Sequence, residues 1–367
     1  MARIVTVYTA TRRSLRLVEM SNIRWWKISE SLARLGHQVD IATNEWPWLF
    51  GKRPKRLTPN LRIVPLDRVQ WHDYDVVKTL FHLGYETLCR YGGQQHSLII
   101  SKLGSVVGPV EMPGIFFYGS TRQRLFATQQ ALARSGHYVT VLSPAAKQLW
   151  QDCFGPTDKL LLVPGAVDAD LAVPGPDPYP DHARARCIFS GNIYNQQTQP
   201  EANAVLVDKL NRLGGLLRAR GIQLYLLGPG EVRCLDPNAV VYLGTCTYER
   251  SWDYLHHAQV GVVVTGGGVM HNNESTKIYH YLRAGLPMVS EAGFPNDHVV
   301  RDSGLGELAE NGSMEDLAEK VDQARTRDWD RSAAIQYILE NHTWDVRAAV
   351  YDRLIRERLG TTAGPAQ

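Results

Sequence analysis

The sixteen residues from 272 to 287, reading NNESTKIYHYLRAGLP, constrain the fold of this chain more than any other stretch. Ile278, Tyr281 and Leu282 are spaced so that they share one face of a helix. Gly285 and Pro287 then form a helix stop signal, and MVS at 288–290 has the composition of a buried strand. The stretch therefore predicts an amphipathic helix that leads directly into a strand.

The start of this predicted helix is suited to bind an anion. Asn273 or Ser275 can serve as its N-cap, which places Lys277 in or near the first turn. The first amides of a helix lack partners and its dipole favours negative charge there, whereas a lysine is disfavoured at that end. Lys277 is thus either a ligand for an anion or a solvated lysine on an ordinary amphipathic helix.

Composition narrows the class of protein. The chain has 367 residues, 44% hydrophobic and 21% charged, which is long enough for two globular domains. A net charge of +3 does not argue for nucleic acid as a partner. The five cysteines form no C-x-x-C pair, which indicates free thiols and a cytoplasmic location. We see no signal peptide and no apolar run long enough to span a bilayer, so a membrane role would be peripheral, at the inner face.

The first half of the sequence predicts a doubly wound α/β domain. RIVTVY at 3–8 is typical of a buried strand, 22–35 has helical periodicity, and QVDIAT at 38–43 is the next strand. The loop after the first strand lacks G-x-G-x-x-G, which argues against a Rossmann dehydrogenase. Further elements of this half are predicted as strands at 62–67, 97–102, 114–119, 138–143 and 160–165, and as helices at 121–135 and 144–153.

The second half repeats the pattern after a linker. GPDPYPDH at 175–182 is rich in proline and polar residues, which is typical of a linker. The segment after FPNDHVV, up to residue 312, is expected to be poor in strands. The remaining predictions are strands at 187–192 and 222–228 and helices at 201–220, 248–257, 313–325 and 342–359.

The central stretch resembles the nucleotide-sugar motif of GT-B glycosyltransferases, S-x-x-K-x-x-E-Y-L-A-A-G-x-P-V-V, and also that of xanthan-type glucuronosyltransferases. The residue three after Lys277 is His280, where many members have Glu and the xanthan-type enzymes have Gln. The two glutamates of retaining family-four enzymes fall on Asn272 and His280, so that pair is absent. PGAVD at 164–168 resembles the P-N-G-V-D that marks the crossing between the domains of such enzymes.

The resemblance implies a GT-B fold: α/β, with two Rossmann-like doubly wound parallel-sheet domains facing across a cleft. The acceptor domain is expected at 1–170, completed by a C-terminal helix at about 344–360, and the donor domain at 180–343. The donor-binding residues that it implies are Ser190, Gly191, Asn192, Gly228, Gly230, Tyr242, Leu243, Gly244, Gly267, Gly268, Glu274, Ser275, Thr276, Lys277 and His280.

The catalytic base is harder to place. An inverting transferase needs a carboxylate or histidine to deprotonate the acceptor hydroxyl, whereas a retaining one does not. Glu111 is the nearest candidate for the base, and Lys277 is the other predicted catalytic residue. His72 and Asp73 are alternative bases, although each is more typical of a surface residue. Arginines at 12, 13 and 16, and a loop at 46–56 with two tryptophans and a basic run, are either an acceptor or membrane patch or solvated surface.

The resemblance leads to a functional expectation. The protein is expected to be a hexosyltransferase that moves a sugar from a nucleotide-diphosphate sugar, most readily a UDP-sugar, to a hydroxyl of a glycan, lipid-linked or other small acceptor, as in polysaccharide biosynthesis. No cofactor and no metal are implied, because the helix dipole and Lys277 stabilise the leaving diphosphate. A UDP-sugar epimerase of the same fold and a non-catalytic sugar-nucleotide-binding protein remain as alternatives.

Overall fold

The computed structural model describes residues 1–11, 20–44, 53–112, 119–181, 183–197, 199–267 and 272–360. By their internal contacts the residues form two compact units. The first contains Met1–Val110, Gly119–Pro164 and Trp344–Gln367, and the second contains Glu111–Tyr118 and Gly165–Thr343. The chain thus passes into the second unit after Pro164 and returns before Trp344. Among the described helices, none is both long and apolar enough to cross a lipid bilayer.

The first unit is built on an eight-stranded sheet. In chain order its elements are β1 (Arg3–Val7), α1 (Met20–Arg34), β2 (Gln38–Thr43), β3 (Lys55–Thr58), β4 (Leu61–Pro65), β5 (Val76–Leu80), α2 (Phe81–Arg90), β6 (Ile99–Lys102), α3 (Gly119–Ser135), β7 (Tyr138–Val141), α4 (Pro144–Phe154) and β8 (Leu160–Leu162). The strand order is β3-β4-β2-β1-β5-β6-β7-β8, parallel except for the antiparallel pair β3–β4. Both faces of this sheet carry apolar clusters, as expected where helices cover both sides of a parallel sheet.

The second unit is built on a six-stranded sheet, wholly parallel. Its elements are β9 (Ala185–Ser190), α5 (Pro200–Ala219), β10 (Ile222–Leu227), β11 (Val240–Tyr242), α6 (Tyr248–His256), β12 (Val260–Val263), α7 (Thr276–Arg283), β13 (Met288–Glu291), α8 (Asp297–Ser303), β14 (Gly306–Ala309), α9 (Met314–Thr326) and α10 (Arg331–Asn341). The strand order β11-β10-β9-β12-β13-β14 is that of a Rossmann fold, counted 3-2-1-4-5-6 from β9. The predicted α/β class with two doubly wound parallel sheets is confirmed.

The last helix, α11 (Trp344–Leu359), belongs to the first unit and packs along α1. Its apolar residues join the cluster that covers one face of the eight-stranded sheet. Two side-chain contacts, one at the first turn and one in the middle of α11, join it to the first unit. The Arg34 guanidinium lies 2.6 Å from the Asp345 carboxylate, and His37 Nε2 lies 2.8 Å from Asp352 Oδ1.

Several predicted elements need correction. β3, β5, α2 and α10 were not predicted, and the segment expected to be poor in strands contains β14. Gly119, taken as the end of a strand, is the first residue of α3, with a φ of +53° that glycine adopts readily. Residues 114–118 of that predicted strand lie outside the described residues. The predicted linker is packed within the second unit, since the Gly175 amide donates to Asp253 Oδ1 at 2.8 Å and the buried Tyr179 hydroxyl donates to the Tyr254 carbonyl at 2.9 Å.

Candidate functional site

The carboxyl edge of the six-stranded sheet is where a ligand is expected. In an open parallel sheet, ligands bind outside the carboxyl ends of the strands, at the point where the strand order reverses. Here the order reverses between β9 and β12, which are direct neighbours. The segment after β9 begins at Gly191, and the segment after β12 begins at Val264 and leads to α7. Most of the donor-binding residues predicted from the sequence lie on these two segments and on the neighbouring turns.

The turns after β9 and β10 lie backbone against backbone. Gly228 and Gly230 have φ angles of +142° and +138°, which L side chains rarely adopt. A Cβ atom at Gly228 would collide with the Gly191 carbonyl, and one at Gly230 would collide with Ile193. Glycine is therefore required at both positions by conformation and by close approach. The predicted G-x-G turn and the predicted Ser-Gly-Asn turn are thus brought together, with Asn192 exposed.

The turn after β11 joins the same edge. The Gly228 amide donates to the Gly244 carbonyl at 3.0 Å, and the Leu243 amide donates to the Leu226 carbonyl at 2.8 Å. The Tyr242 hydroxyl donates to the Gly228 carbonyl at 3.1 Å, and its side chain is 41% exposed. The residues predicted to meet the nucleotide base therefore lie beside the glycine turn of β10, with an aromatic surface open to solvent.

Lys277 lies directly over the turn that follows β9. Its Nζ is 4.8 Å from the centroid of the Phe189 ring, and a Cβ at Gly191 would collide with its Cε. Within the described residues, the ammonium group makes no ion pair or hydrogen bond. Its side chain is partly exposed, and the surrounding protein lowers the pKa of Lys277 to about 8, because desolvation disfavours the charged form. The structure therefore brings the predicted helix lysine, Lys277, together with the predicted glycine turn at Gly191.

The start of α7 is held by Asn296 instead of by a side-chain cap. Ser275 occupies the N-cap position, but its buried hydroxyl has no hydrogen-bond partner among the described residues. The Ser275 amide donates to Asn296 Oδ1 at 3.0 Å, and Asn296 Nδ2 donates back to the Ser275 carbonyl at 3.0 Å. This arrangement orders the segment before the helix without engaging the Ser275 hydroxyl. The buried Ser275 hydroxyl thus caps no amide of α7 among the described residues, and the Ile278 amide donates to the Ser275 carbonyl at 3.3 Å.

Glu274, predicted to bind the donor, has contacts within the second unit. One carboxylate oxygen accepts from the Gly165 amide at 2.5 Å, and the other accepts from the Tyr279 hydroxyl at 3.0 Å. A Cβ at Gly165 would also lie only 2.9 Å from the Tyr279 ring and 3.2 Å from the Thr276 methyl group. Glu274 therefore links Gly165 of the PGAVD segment to the first turn of α7 by hydrogen bonds.

His280 is buried against α6. Its Nδ1–H donates to the Thr276 carbonyl at 2.8 Å, and its Nε2 lies 3.2 Å from the Tyr248 hydroxyl. Its ring stacks on Trp252, with centroids 5.2 Å apart. The Tyr248 hydroxyl also bonds the Asp168 carboxylate, and burial with that charge raises the pKa of Tyr248 well above its usual value. Both ring nitrogens of His280 thus have partners in the fold, so the contacts give it a role in positioning α7.

Ser190 is the last residue of β9, and Gly267 lies on the segment that follows β12. The Ser190 amide donates to the Tyr281 hydroxyl at 2.8 Å, so the buried Tyr281 joins α7 to the end of β9. Gly267 has a φ of +111° and its amide lies 3.4 Å from Thr265 Oγ1. Gly268 lies outside the described residues.

Sequence reasoning missed a buried ion pair beside these segments. Lys209 Nζ lies 2.6 Å from Glu291 Oε1, and the Glu291 side chain is fully buried. Glu291 also accepts from the Thr265 amide at 2.6 Å and from the Gly312 amide at 2.9 Å. The available signal was a glutamate that directly follows the predicted strand at 288–290. Its position at a strand end marks it as a group that organises the loops there.

The candidate catalytic bases have exposed side chains. Glu111 is exposed and makes no ion pair with a described residue. His72 and Asp73 have side chains that are 80% and 48% exposed and lie 3.5 Å from each other. The arginines at 12, 13 and 16 and residues 46–52 of the predicted acceptor patch lie outside the described residues.

Comparison with known proteins shows the fold. No protein-family model matches this sequence, and curated proteins give no significant match. Among solved structures, a sucrose-phosphate synthase from Thermosynechococcus elongatus matches with a TM-score of 0.71 at 14% identity, covering 99% of this chain and 100% of that one. A glycosyltransferase involved in avilamycin A biosynthesis matches with a TM-score of 0.65 at 16% identity, covering 99% of each chain.

A third solved structure agrees with these two. A UDP-forming α,α-trehalose-phosphate synthase from Burkholderia xenovorans matches with a TM-score of 0.63 at 10% identity, covering 99% of this chain and 100% of that one. Identities this low carry no residue roles from one chain to the other. The similarity over nearly the whole length of each chain means that this protein has the GT-B fold of these enzymes.

Proposed function

We propose that this protein is a glycosyltransferase, which moves a sugar from a nucleotide-diphosphate sugar to an acceptor hydroxyl without a metal ion. The observation that carries the proposal is the position of Lys277, over the Gly191 turn at the reversal point of a Rossmann-like sheet. A cation, a helix N-terminus and a glycine turn at one strand end form a site for a diphosphate.

The chemistry of sugar transfer explains why such a site is useful. As the bond from the sugar to the diphosphate breaks, negative charge grows on the leaving diphosphate. Lys277 and the N-terminal end of α7 face that charge without needing to reorganise. Because burial lowers the pKa of Lys277 to about 8, a bound diphosphate would raise it again and keep the ammonium charged during the reaction.

A UDP-sugar is the proposed donor. One of the similar structures is a UDP-forming synthase by its name, and the other two are a sucrose-phosphate synthase and a glycosyltransferase. The segment Tyr242–Leu243–Gly244 supplies an open aromatic surface and backbone groups beside the glycine turns, which suits a nucleotide base. A glycan, lipid-linked or other small hydroxyl compound is the proposed acceptor, and Glu111 remains the proposed base.

Donor turnover in a Lys277→Ala variant tests the proposal. We expect the release of UDP from the preferred UDP-sugar to fall by a factor on the order of one hundred, as for the loss of one transition-state charge contact. Lys320→Ala is the matched control, since Lys320 lies on a helix of the same unit and pairs with Asp316 at 2.8 Å. The control should keep wild-type turnover.

Three other outcomes would contradict the proposal. Donor turnover equal to that of the wild type in the Lys277→Ala variant would show that Lys277 is not part of the donor site. Interconversion of UDP-sugars without an acceptor would indicate an epimerase instead. Tight donor binding without transfer or hydrolysis, with any acceptor tried, would indicate a non-catalytic binding protein.

A further inference from the structure

His280 occupies the position at which the family resemblance places a donor-binding residue, yet its contacts are with the protein. The side chain is 7% exposed. Its Nδ1–H donates to the Thr276 carbonyl at 2.8 Å, and its Nε2 lies 3.2 Å from the Tyr248 hydroxyl. An imidazole has only these two polar atoms. A hydrogen bond from His280 to the ribose or sugar of a donor would therefore compete with one of these contacts.

The ring of His280 is also held by the aromatic side chains of α6. It stacks on Trp252, with the ring centroids 5.2 Å apart and an angle of 22° between the planes. The Tyr248 ring meets it edge to face, with the centroids 5.9 Å apart. Trp252 and Tyr248 are themselves buried. Such contacts favour one orientation of a ring, so His280 would lose them if it turned towards a ligand.

The helix α6 is a firm support for His280, because it is itself tied to other segments of the second unit. The Tyr248 hydroxyl at its start bonds the Asp168 carboxylate. Near its other end, the Tyr254 carbonyl accepts a hydrogen bond from the buried Tyr179 hydroxyl at 2.9 Å. The contacts of His280 with α6 therefore connect α7 to a helix that is held at both ends.

The Thr276 carbonyl connects this support to the donor site. Thr276 is the first residue of α7 and directly precedes Lys277. The ends of a helix fray most readily, since the hydrogen-bond ladder is incomplete there. By holding the carbonyl of the first residue, the His280 side chain restrains the turn from which the Lys277 side chain extends.

We propose that His280 is a positioning residue, which holds the first turn of α7 so that Lys277 meets the diphosphate of the donor. The inference rests on the proposed function, because it assigns a role within the same donor site. It differs from the role that the resemblance implies. A residue that binds the donor directly would affect the ribose or the sugar, whereas His280 affects the diphosphate through Lys277.

Binding of UDP and of uridine to His280→Ala tests the proposal. Uridine lacks the diphosphate, so its affinity reports only on the nucleoside part of the site. We expect the variant to bind UDP about tenfold more weakly than the wild type, as for the loss of a buried hydrogen bond and its packing, and to bind uridine within about twofold of the wild type. Calorimetry measures UDP, and ligand-detected NMR measures the weaker binding of uridine.

His280→Asn and His280→Gln separate the two ring nitrogens. The amide nitrogen of Asn is as many bonds from Cα as Nδ1, and that of Gln is as many bonds from Cα as Nε2. Because Nδ1 makes the contact with Thr276, we expect His280→Asn to keep UDP affinity within about threefold of the wild type, and His280→Gln to lose as much as His280→Ala. Failure of His280→Asn to restore UDP affinity would contradict the proposal.

Tyr248→Phe tests the same inference without changing His280. It removes the hydroxyl that supports Nε2, and we expect UDP to bind about threefold more weakly with uridine binding unchanged. Tyr254→Phe is the matched control, since it removes a hydroxyl from the same helix and its ring packs on Tyr179. The control should bind UDP as the wild type does. If His280→Ala does not fold, these two variants decide the matter, and wild-type UDP affinity in Tyr248→Phe would overturn the inference.

The remaining outcomes separate this inference from the proposed function. Equal weakening of UDP and uridine in His280→Ala, or unchanged UDP affinity, would overturn the inference and leave the function standing. If the wild type binds UDP but not uridine, inorganic pyrophosphate replaces uridine. Its affinity should then fall with that of UDP in His280→Ala, and unchanged pyrophosphate affinity would overturn the inference. Absence of UDP binding by the wild type would contradict the proposed function and this inference with it.

Discussion

Two lysines, the partly buried Lys209 and the buried Lys78, lie in different units and have opposite electrostatic surroundings. Lys209 packs beside the six-stranded sheet with its Nζ 2.6 Å from the fully buried Glu291 carboxylate. Lys78 lies within the eight-stranded sheet, 3% exposed, among other cations and apolar side chains. The same residue type thus stabilises the fold in one unit and leaves unsatisfied charge in the other.

The difference lies in what each lysine has as a partner. Glu291 pairs with Lys209 and also accepts hydrogen bonds from two backbone amides, so the ion pair and the adjacent loops form one network. Lys78 contacts the face of the Tyr351 ring, which compensates only part of the charge. A buried charge with an opposite charge beside it belongs to a stabilising network, whereas burial without one shifts Lys78 toward its neutral form by lowering its pKa. Replacing each lysine should therefore change stability in opposite directions.

The largest effect is expected for Lys209→Met. Removing the lysine leaves the Glu291 carboxylate buried without its counter-ion, which costs about 3–5 kcal/mol of unfolding free energy. Urea denaturation of the variant and the wild type measures this difference. Lys320→Met, which removes a lysine from a surface pair, should change stability by less than about 1 kcal/mol. A Lys209→Met variant as stable as the wild type would contradict the comparison.

The opposite sign is expected for Lys78. Its pKa is about 7 in the folded protein and about 10.5 when unfolded, so the unfolded chain binds more protons between these values. The contribution of Lys78 to stability is therefore most unfavourable below pH 7, improves as the pH rises and is fully relieved above pH 10.5. Wild-type stability should gain on the order of 3 kcal/mol between pH 7 and 10 relative to Lys78→Met.

The same variant should be more stable than the wild type at pH 7, because methionine carries no charge to bury. Denaturation curves at several pH values measure both effects. A Lys78→Met variant that is less stable at pH 7, with the same pH dependence as the wild type, would show that Lys78 is already compensated.

The smallest effect is expected for Gly191→Ala. The new methyl group would displace the end of the Lys277 side chain, which is flexible, so the fold should survive. We expect nucleotide affinity to fall about tenfold, or about 1.4 kcal/mol. Gly215→Ala on α5 is the matched control, since a Cβ there meets nothing within 4 Å. Unchanged nucleotide affinity in Gly191→Ala would indicate that Lys277 does not contact the nucleotide.

The two regions also differ in how far the sequence predicts them. The site on the second unit is contained in short contiguous patterns, namely NNESTKIYHYLRAGLP and the glycine turns after predicted strands. Each pattern indicates a local geometry, and the parallel sheet brings the strand ends together. Local reasoning therefore predicted α7 and gave Asn273 or Ser275 as its N-cap, of which Ser275 occupies that position. The family resemblance added the turns at Gly191 and Gly228.

The burial of Lys78 was not predicted, because no local sequence pattern indicates it. β5 reads VVKTL, and a lysine in the middle of a short apolar run does not resemble a buried strand. Only the register of β5 between β1 and β6 shows that Lys78 is internal. The same limitation applies to the contacts of Glu274 and His280, since the partners of these side chains lie up to 109 residues away along the chain.

Calorimetric binding of UDP, GDP and dTDP to the wild type and to Lys277→Ala tests whether Lys277 binds a nucleotide diphosphate. We expect one nucleotide, UDP, to bind the wild type with a dissociation constant on the order of micromolar, and Lys277→Ala to lose this binding. No binding of any nucleotide, or equal binding in the variant, would contradict it. Lys277 would then be only a lysine on the first turn of a helix.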